Sequence, residues 1–146
     1  MELHHVEVLE PNGEIATRTL RRGQQHDIYT SNGTDAWWEP RFAMHGFRYA
    51  QIEGVVGELT VADIECHVYH SVMDRAGELE TSNPLLNRLH ANALWSMRSN
   101  FVSVPQDCPQ RDERMGWTGD ICLFAPTAAY PVSYTHLRAH ETKANL

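Results

Sequence analysis

Apolar positions change their period once along this chain, near Gly77. Before that point they alternate or fall in short runs. Val6 to Leu9 is followed by the turn signal Glu10-Pro11-Asn12-Gly13-Glu14, and Ile15 to Leu20 would return as the second arm of a hairpin. His26 to Tyr29 reads as a short strand ending in the turn Ser31-Asn32-Gly33. Phe42 to Ile52 alternates well enough for another strand, broken by Gly54 to Gly57. Leu59 to Val72 predicts a longer one, with Cys66, Val68, His70 and Val72 on one face and Ile64 in phase with them. Repeated strands with turns at this spacing fit an antiparallel β-sandwich.

After Gly77 the period becomes helical. Asn83-Pro84 is a helix start, with Asn83 as N-cap and Pro84 at the first helical position. Leu85, Leu89, Ala93 and Met97 then fall at four-residue steps, beside Leu86 and Leu94, and predict a helix to Arg98 or Asn100. Phe101 to Val104 is an apolar bridge, and Pro105 stops regular structure. A second helix is expected from Ile121 to Tyr130, capped by Asp120 and kinked or shortened by Pro126. The expected order is therefore β first and α second, an α+β fold. Residues 133–146 have poor apolar periodicity and no clear relation to what precedes them. They are expected to be a non-native tail of read-through sequence and are set apart from the fold.

At 146 residues the chain can bury a core, and 42% hydrophobic with 21% charged residues is ordinary for a soluble domain. A net charge of -7 argues against nucleic acid, because phosphate binding needs a basic face. No apolar run reaches the roughly 18 residues of a membrane span, and no membrane partner is expected. Met1-Glu2-Leu3-His4-His5 lacks the basic and apolar regions of a signal peptide, which favours the cytoplasm unless a segment precedes Met1. Cys66, Cys108 and Cys122 are an odd count at no metal-binding spacing, so they are expected to be free, buried thiols. Nine histidines are scattered, and adjacent His4 and His5 would face opposite ways on a strand. No metal and no cofactor are expected.

The chemistry concentrates between the two predicted helices, in Asp107-Cys108-Pro109-Gln110-Arg111-Asp112-Glu113-Arg114-Met115-Gly116-Trp117-Thr118-Gly119-Asp120. Four carboxylates, two arginines and a tryptophan between glycines suit a sugar or other polyhydroxylated ligand. Carboxylates bind hydroxyls and move protons, and an indole face covers a sugar ring. Glycoside hydrolysis requires two carboxyl groups, one to protonate the leaving oxygen and one to act on water or the anomeric carbon. Asp112 beside Glu113 would favour its protonated form, while Arg111 and Arg114 act the other way. The same residues also fit a solvated ion-pair cluster, with Asp120 as a helix cap and Trp117 as a core aromatic.

The Asp107–Asp120 stretch closely resembles the signature of the bacterial α-L-rhamnosidases. The likeness extends to Trp38-Glu39-Pro40-Arg41-Phe42, His45-Gly46-Phe47-Arg48-Tyr49, Ser82-Asn83-Pro84-Leu85-Leu86-Asn87, Trp95 and Asn100-Phe101. Met115 departs from it, standing where a leucine is usual. The resemblance implies an inverting glycosidase with an (α/α)6 barrel after β-sandwich domains. On this chain it implies the C-terminal part of a β-sandwich over 1–76 and the first helices of a truncated barrel over 77–132. Glu113 then matches the general acid, and Asp107 and Asp120 the carboxylates that hold rhamnose hydroxyls. Trp117 matches an aromatic wall of the pocket, and Arg111 orients Glu113 or a hydroxyl. Partners would be rhamnose-containing glycosides or oligosaccharides; nothing points to an oligomeric state. The family's catalytic base is a glutamate far downstream, and no glutamate here takes that role, so the chain by itself is expected to be inactive. A competing reading, a non-catalytic carbohydrate-binding β-module or structural fragment, would need none of these catalytic roles.

Overall fold

The structure, a computed structural model, describes residues 1–132, so the expected non-native tail 133–146 lies outside the described residues. The chain divides into two compact units. Among the described residues, one contains Met1–Val68 together with Cys108–Arg114; the other contains Tyr69–Asp107 and residues 115–132.

The first unit is built on a three-stranded antiparallel sheet in which β1 (Glu2–Val6) lies between β2 (His26–Ile28) and β3 (Tyr49–Glu53). Its register places His4 opposite His26 and Gln51, and His5 opposite Ala50. Because side chains alternate along a strand, His4 and His5 leave by opposite faces. His4 stacks on His26, with ring centroids 4.2 Å apart, whereas His5 and Val6 are buried.

The expected first hairpin is present only as its turn. Gly13 donates to Glu10 and Glu10 to Glu14, with a single antiparallel bridge between Leu9 and Ile15. The returning arm is a 3-10 turn, Thr17–Leu20, rather than a strand. The strand expected over Phe42–Ile52 is confined to Tyr49–Glu53, the part that finds β1 as a partner. The expected Leu59–Val72 strand does not form. Thr60 and Asp63 close a capping box over a 3-10 turn at Val61–Asp63, and Thr60 Oγ1 donates to Asp63 at 2.6 Å. The Thr60 hydroxyl and backbone N–H on its carboxylate hold Asp63 below the usual aspartate range. A strand needs a neighbour for its N–H and C=O groups, and among the described residues only isolated bonds reach this segment, such as Ser71 N to Phe101 O. Val61, Val68 and Val72 consequently stand exposed.

In the second unit α1 spans Pro84–Asn100, and Asn83 Oδ1 accepts from Leu85 N at 2.9 Å, as the sequence predicts. Its core is small: Met97, Phe101, Ala128 and Val132 are buried, with Met73, Leu94, Ile121 and Phe124 packed against them. Only the C-terminal turn of the predicted apolar stripe is covered; Leu85 and Leu89 are 77% and 64% exposed. The apolar bridge folds into a tight pair, β4 (Phe101–Val102) and β5 (Val104–Pro105), turning at Ser103 with φ 64. Pro105 pairs with Phe101 and is the last residue of β5, so regular structure stops there before the charged loop, as expected. The second helix, α2 (Thr118–Ala128), contains Pro126 and stops two residues later, short of the expected Tyr130. Pro126 has no N–H for the Cys122 carbonyl, which removes one rung and shortens the helix. Among the described residues no disulfide joins the three cysteines, and Cys66 and Cys122 are exposed and Cys108 half-buried, not buried as expected. Among the described residues no helix is long and apolar enough to cross a membrane.

Candidate active site

The loop between β5 and α2 contributes to both units. In the helical unit Asp107 closes it with a reciprocal pair: Met115 N donates to Asp107 Oδ1 at 2.8 Å, and Asp107 N donates to Met115 O at 3.2 Å. Gly116 lies close to β5, where a Cβ would come 3.4 Å from the Pro105 carbonyl oxygen. Trp117 occupies the position before α2 and is 51% exposed, so it is not a core aromatic. Asp120 is the third residue of α2, not its cap. There its carboxylate lies in the first turn, where the unpaired N–H groups of the helix favour a negative charge.

The middle of the loop, Cys108–Arg114, belongs to the sheet unit. Two glycines accept it. A Cβ on Gly23 would stand 3.0 Å from Asp112 N and 3.3 Å from the Arg111 carbonyl carbon. One on Gly46 would stand 3.2 Å from Gln110 N and Cβ. These approaches exclude any side chain at positions 23 and 46 unless the loop backbone moves. Pro109 is buried here and its carbonyl accepts from Gln25 Nε2 at 3.4 Å.

So seated, the loop presents Glu113 to two guanidinium groups. Arg21 Nη1 donates to Glu113 Oε2 at 2.8 Å, and Arg111 Nη2 donates to the same oxygen at 3.1 Å. Partial burial works against the Arg111 charge, but the Cys108 thiol and the Glu113 carboxylate outweigh it and hold the proton more tightly than usual. Arg111 Nε is buried with no hydrogen-bond partner among the described residues. The side chains of Arg21 and Glu113 are 56% and 34% exposed, so their ion pair contributes no more than about 0–1 kcal/mol to stability. Arg21 (φ 56) and Arg114 (φ 43) both lie in the left-handed region that side chains other than glycine rarely adopt. Strain of roughly 1–3 kcal/mol per residue is a feature of places where geometry is imposed by the surroundings.

Glu113 and Arg111 line an open cleft of about 450 Å³ in the sheet unit, together with Gln25, Asp27, Phe42 and His45. His45 Nε2 lies 2.6 Å from Asp27 Oδ2, and its Nδ1 is hydrogen-bonded with Gln25 Oε1. His5 stacks beneath His45 at 4.3 Å and meets the edge of Phe47 at 4.8 Å. Burial, and then the neighbouring His45 ring, push the His5 pKa below its ordinary 6.5. His5, Asp27 and His45 bring potential metal-ligand atoms within 4.8 Å of one another. However, the His5 and His45 planes are only 15° apart. Imidazole lone pairs lie in the ring plane, so two stacked rings do not converge on one ion.

Of the residues singled out in the sequence, Arg111 and Glu113 are brought into direct contact in the sheet unit. Asp107, Trp117 and Asp120 are placed in the helical unit. Arg21, Gln25 and Asp27 were not foreseen. Arg21-Arg22-Gly23 looks like an ordinary polar turn, and nothing local to it signals a partner ninety-two positions away.

Comparison with known proteins decides what this arrangement belongs to. Residues 1–70 match the bacterial α-L-rhamnosidase concanavalin-like domain, and residues 74–140 match the bacterial α-L-rhamnosidase six-hairpin glycosidase domain. The chain belongs to the bacterial α-L-rhamnosidase family. It is 48% identical over 131 residues to an α-L-rhamnosidase of Streptomyces avermitilis, a match that takes in 89% of the chain and 13% of that relative. An α-L-rhamnosidase of Formosa agariphila is 38% identical over 134 residues, covering 89% of the chain and 14% of the relative. Among solved structures, the Streptomyces avermitilis α-L-rhamnosidase complexed with L-rhamnose superposes with a TM-score of 0.86 at 47% identity, over 92% of this chain and 13% of that one. The native Aspergillus terreus enzyme gives 0.84 at 49% identity, over 91% and 16%. The rhamnosidase segment described by this chain therefore spans about one-seventh of the relatives it matches.

Proposed function

We propose that this chain is part of an inverting α-L-rhamnosidase that removes terminal α-L-rhamnosyl residues from glycosides or oligosaccharides, with Glu113 as the general acid. The observation that carries this reading is the position of Glu113: a carboxyl group fixed at one oxygen by two guanidiniums, on the wall of an open cleft. In such a reaction the acid gives its proton to the glycosidic oxygen as the bond from that oxygen to the anomeric carbon breaks, and water enters from the opposite face. A second carboxylate must take the proton of that water, roughly 6.5–9.5 Å from the first. We assign that base to a part of the enzyme outside this chain, so these 146 residues alone do not turn over substrate.

The remaining roles follow the motif. Asp107 and Asp120 hold rhamnose hydroxyls, and Trp117 presents its indole face to the ring. Arg111 steadies Glu113 through Nη2, while its Nε is a donor suited to a hydroxyl. In fold terms, residues 1–76 are read as the C-terminal part of a β-sandwich and 77–132 as the first helices of an (α/α)6 barrel. The unpaired Leu59–Val72 segment and the uncovered stripe of α1 agree with elements that have further partners in a larger protein.

Replacing Glu113 by Gln in the complete enzyme tests the reading. Turnover of an aryl α-L-rhamnoside with a poor leaving group should fall by about 10²–10⁴, the usual contribution of a general acid. Unchanged turnover would point to a carbohydrate-binding role instead. Release of nitrophenol by the purified 146-residue chain would refute the assignment of the base to another part of the protein.

A further inference from the structure

Nothing in the motif accounts for Arg21. It lies outside the loop, at the end of the Thr17–Leu20 turn, yet it makes the shorter of the two guanidinium contacts to Glu113. Its backbone is held at φ 56. The turn closes with Gly23 N donating to Leu20 O at 2.9 Å, and Gly23 is the residue against which the Arg111-Asp112 backbone is seated. The same short segment therefore supplies the seat for the loop and the cation for its acid. We infer that Arg21 is a positioning residue for Glu113: with Arg111 it clamps Oε2 and leaves Oε1 as the oxygen that delivers the proton. This inference rests on the assignment of Glu113 as the general acid.

The chemistry of a guanidinium makes the clamp work in both protonation states. Arginine only donates hydrogen bonds. A protonated Glu113 still offers Oε2 as a carbonyl acceptor, so the proton must sit on Oε1. When transfer occurs, the Oε1–H bond breaks, an O–H bond forms on the leaving oxygen, and the electron pair of the glycosidic C–O bond goes to that oxygen. Glu113 is left as a carboxylate facing two positive charges, already in place, so charge developing on it in the transition state is stabilised without rearrangement. Water and a carboxylate base complete the hydrolysis.

The test is a leaving-group series in the complete enzyme. Arg21→Ala should lower kcat/KM about 10- to 100-fold for aryl rhamnosides whose phenols are weakly acidic, short of the 10²–10⁴ of losing the acid outright. It should change little for 2,4-dinitrophenyl rhamnoside, which departs without a proton. Added guanidinium should restore part of the loss. Arg21→Lys, which keeps the charge and most of the stem, should fall between the two and guards against an Arg21→Ala protein that does not fold. An equal fall across the series, or none, with Glu113→Gln still selective for poor leaving groups, would overturn the clamp and leave the acid assignment intact. A Glu113→Gln enzyme with an unchanged series would overturn both.

Discussion

The backbone nitrogen of Asp112 lies against Gly23 so closely that a Cβ at position 23 would stand 3.0 Å from it, and 3.1 Å from Leu20 O. Both neighbours are backbone, so neither can swing away. Gly23→Ala is expected to destabilise the sheet unit by about 1–3 kcal/mol, the usual penalty of overpacking. Gly119→Ala is the control: nothing lies within 4 Å of its added carbon, and it sits within α2, where alanine is favoured by roughly 0.5–1 kcal/mol. Denaturant unfolding of the two variants should therefore move in opposite directions. A Gly23→Ala protein as stable as the parent would show that the 20–23 turn does not seat the loop.

His5 makes stability depend on pH. Its folded pKa is lowered, first by burial and then by the His45 ring; the Gln25 carbonyl and Asp27 oppose the shift, and His4 adds slightly to it. The unfolded chain then binds the proton more readily than the folded one, so stability is present above about pH 6.5 and is lost as pH falls through 6.5 toward the lowered folded value. Thermal or urea unfolding between pH 5 and 8 should show this loss. His5→Phe, which cannot titrate, should flatten it over the same interval. An undiminished slope in His5→Phe would assign the effect to another group.

How much of this was legible beforehand can be judged from particular residues. Asn83-Pro84 predicted the start of α1 to the residue, because a cap is a local contact between a side chain and a backbone two positions on. His26 to Tyr29 and the end of the Phe42–Ile52 run were legible from their alternation, which holds there because β1 supplies each with a partner strand. The Leu59–Val72 strand was misread because alternation states a preference for two faces but supplies no neighbouring strand, and the Thr60–Asp63 capping box offers a local alternative. At the site, Arg111 and Glu113 could be chosen by residue type and by likeness to a known motif. Arg21, Gln25 and Asp27 could not, since their roles arise from turn geometry and strand register that no local pattern encodes.

The small core of the helical unit makes it sensitive at one position. Met97 is 2% exposed and packs with Phe101, Ala128 and Val132. Met97→Ala should cost about 2–5 kcal/mol, a large part of the 5–15 kcal/mol that holds an ordinary domain together. Asn83→Ala, which removes the 2.9 Å cap to Leu85 N, should cost only about 1 kcal/mol. Helical circular dichroism followed through thermal unfolding separates the two. Equal losses would mean that α1 is held by its cap rather than by its C-terminal packing.

The uncovered face of α1 should govern how this chain behaves in solution. Leu85, Leu89 and Trp95 are 77%, 64% and 51% exposed on one helix, and Leu123 on α2 is 87% exposed. Exposed apolar surface of this kind favours association, because each leucine removed from water gains about 1.5–3 kcal/mol. Light scattering coupled to size exclusion should show the chain self-associating as concentration rises. Replacing Leu85 and Leu89 by lysine should suppress this. The helix itself should persist, since lysine and leucine have similar helix propensities and neither leucine belongs to the buried cluster around Met97. A double variant that is monomeric and keeps its helical signal would establish that these two side chains make no stabilising contact within the chain. One that loses helix would show the opposite, that the stripe is packed along its whole length.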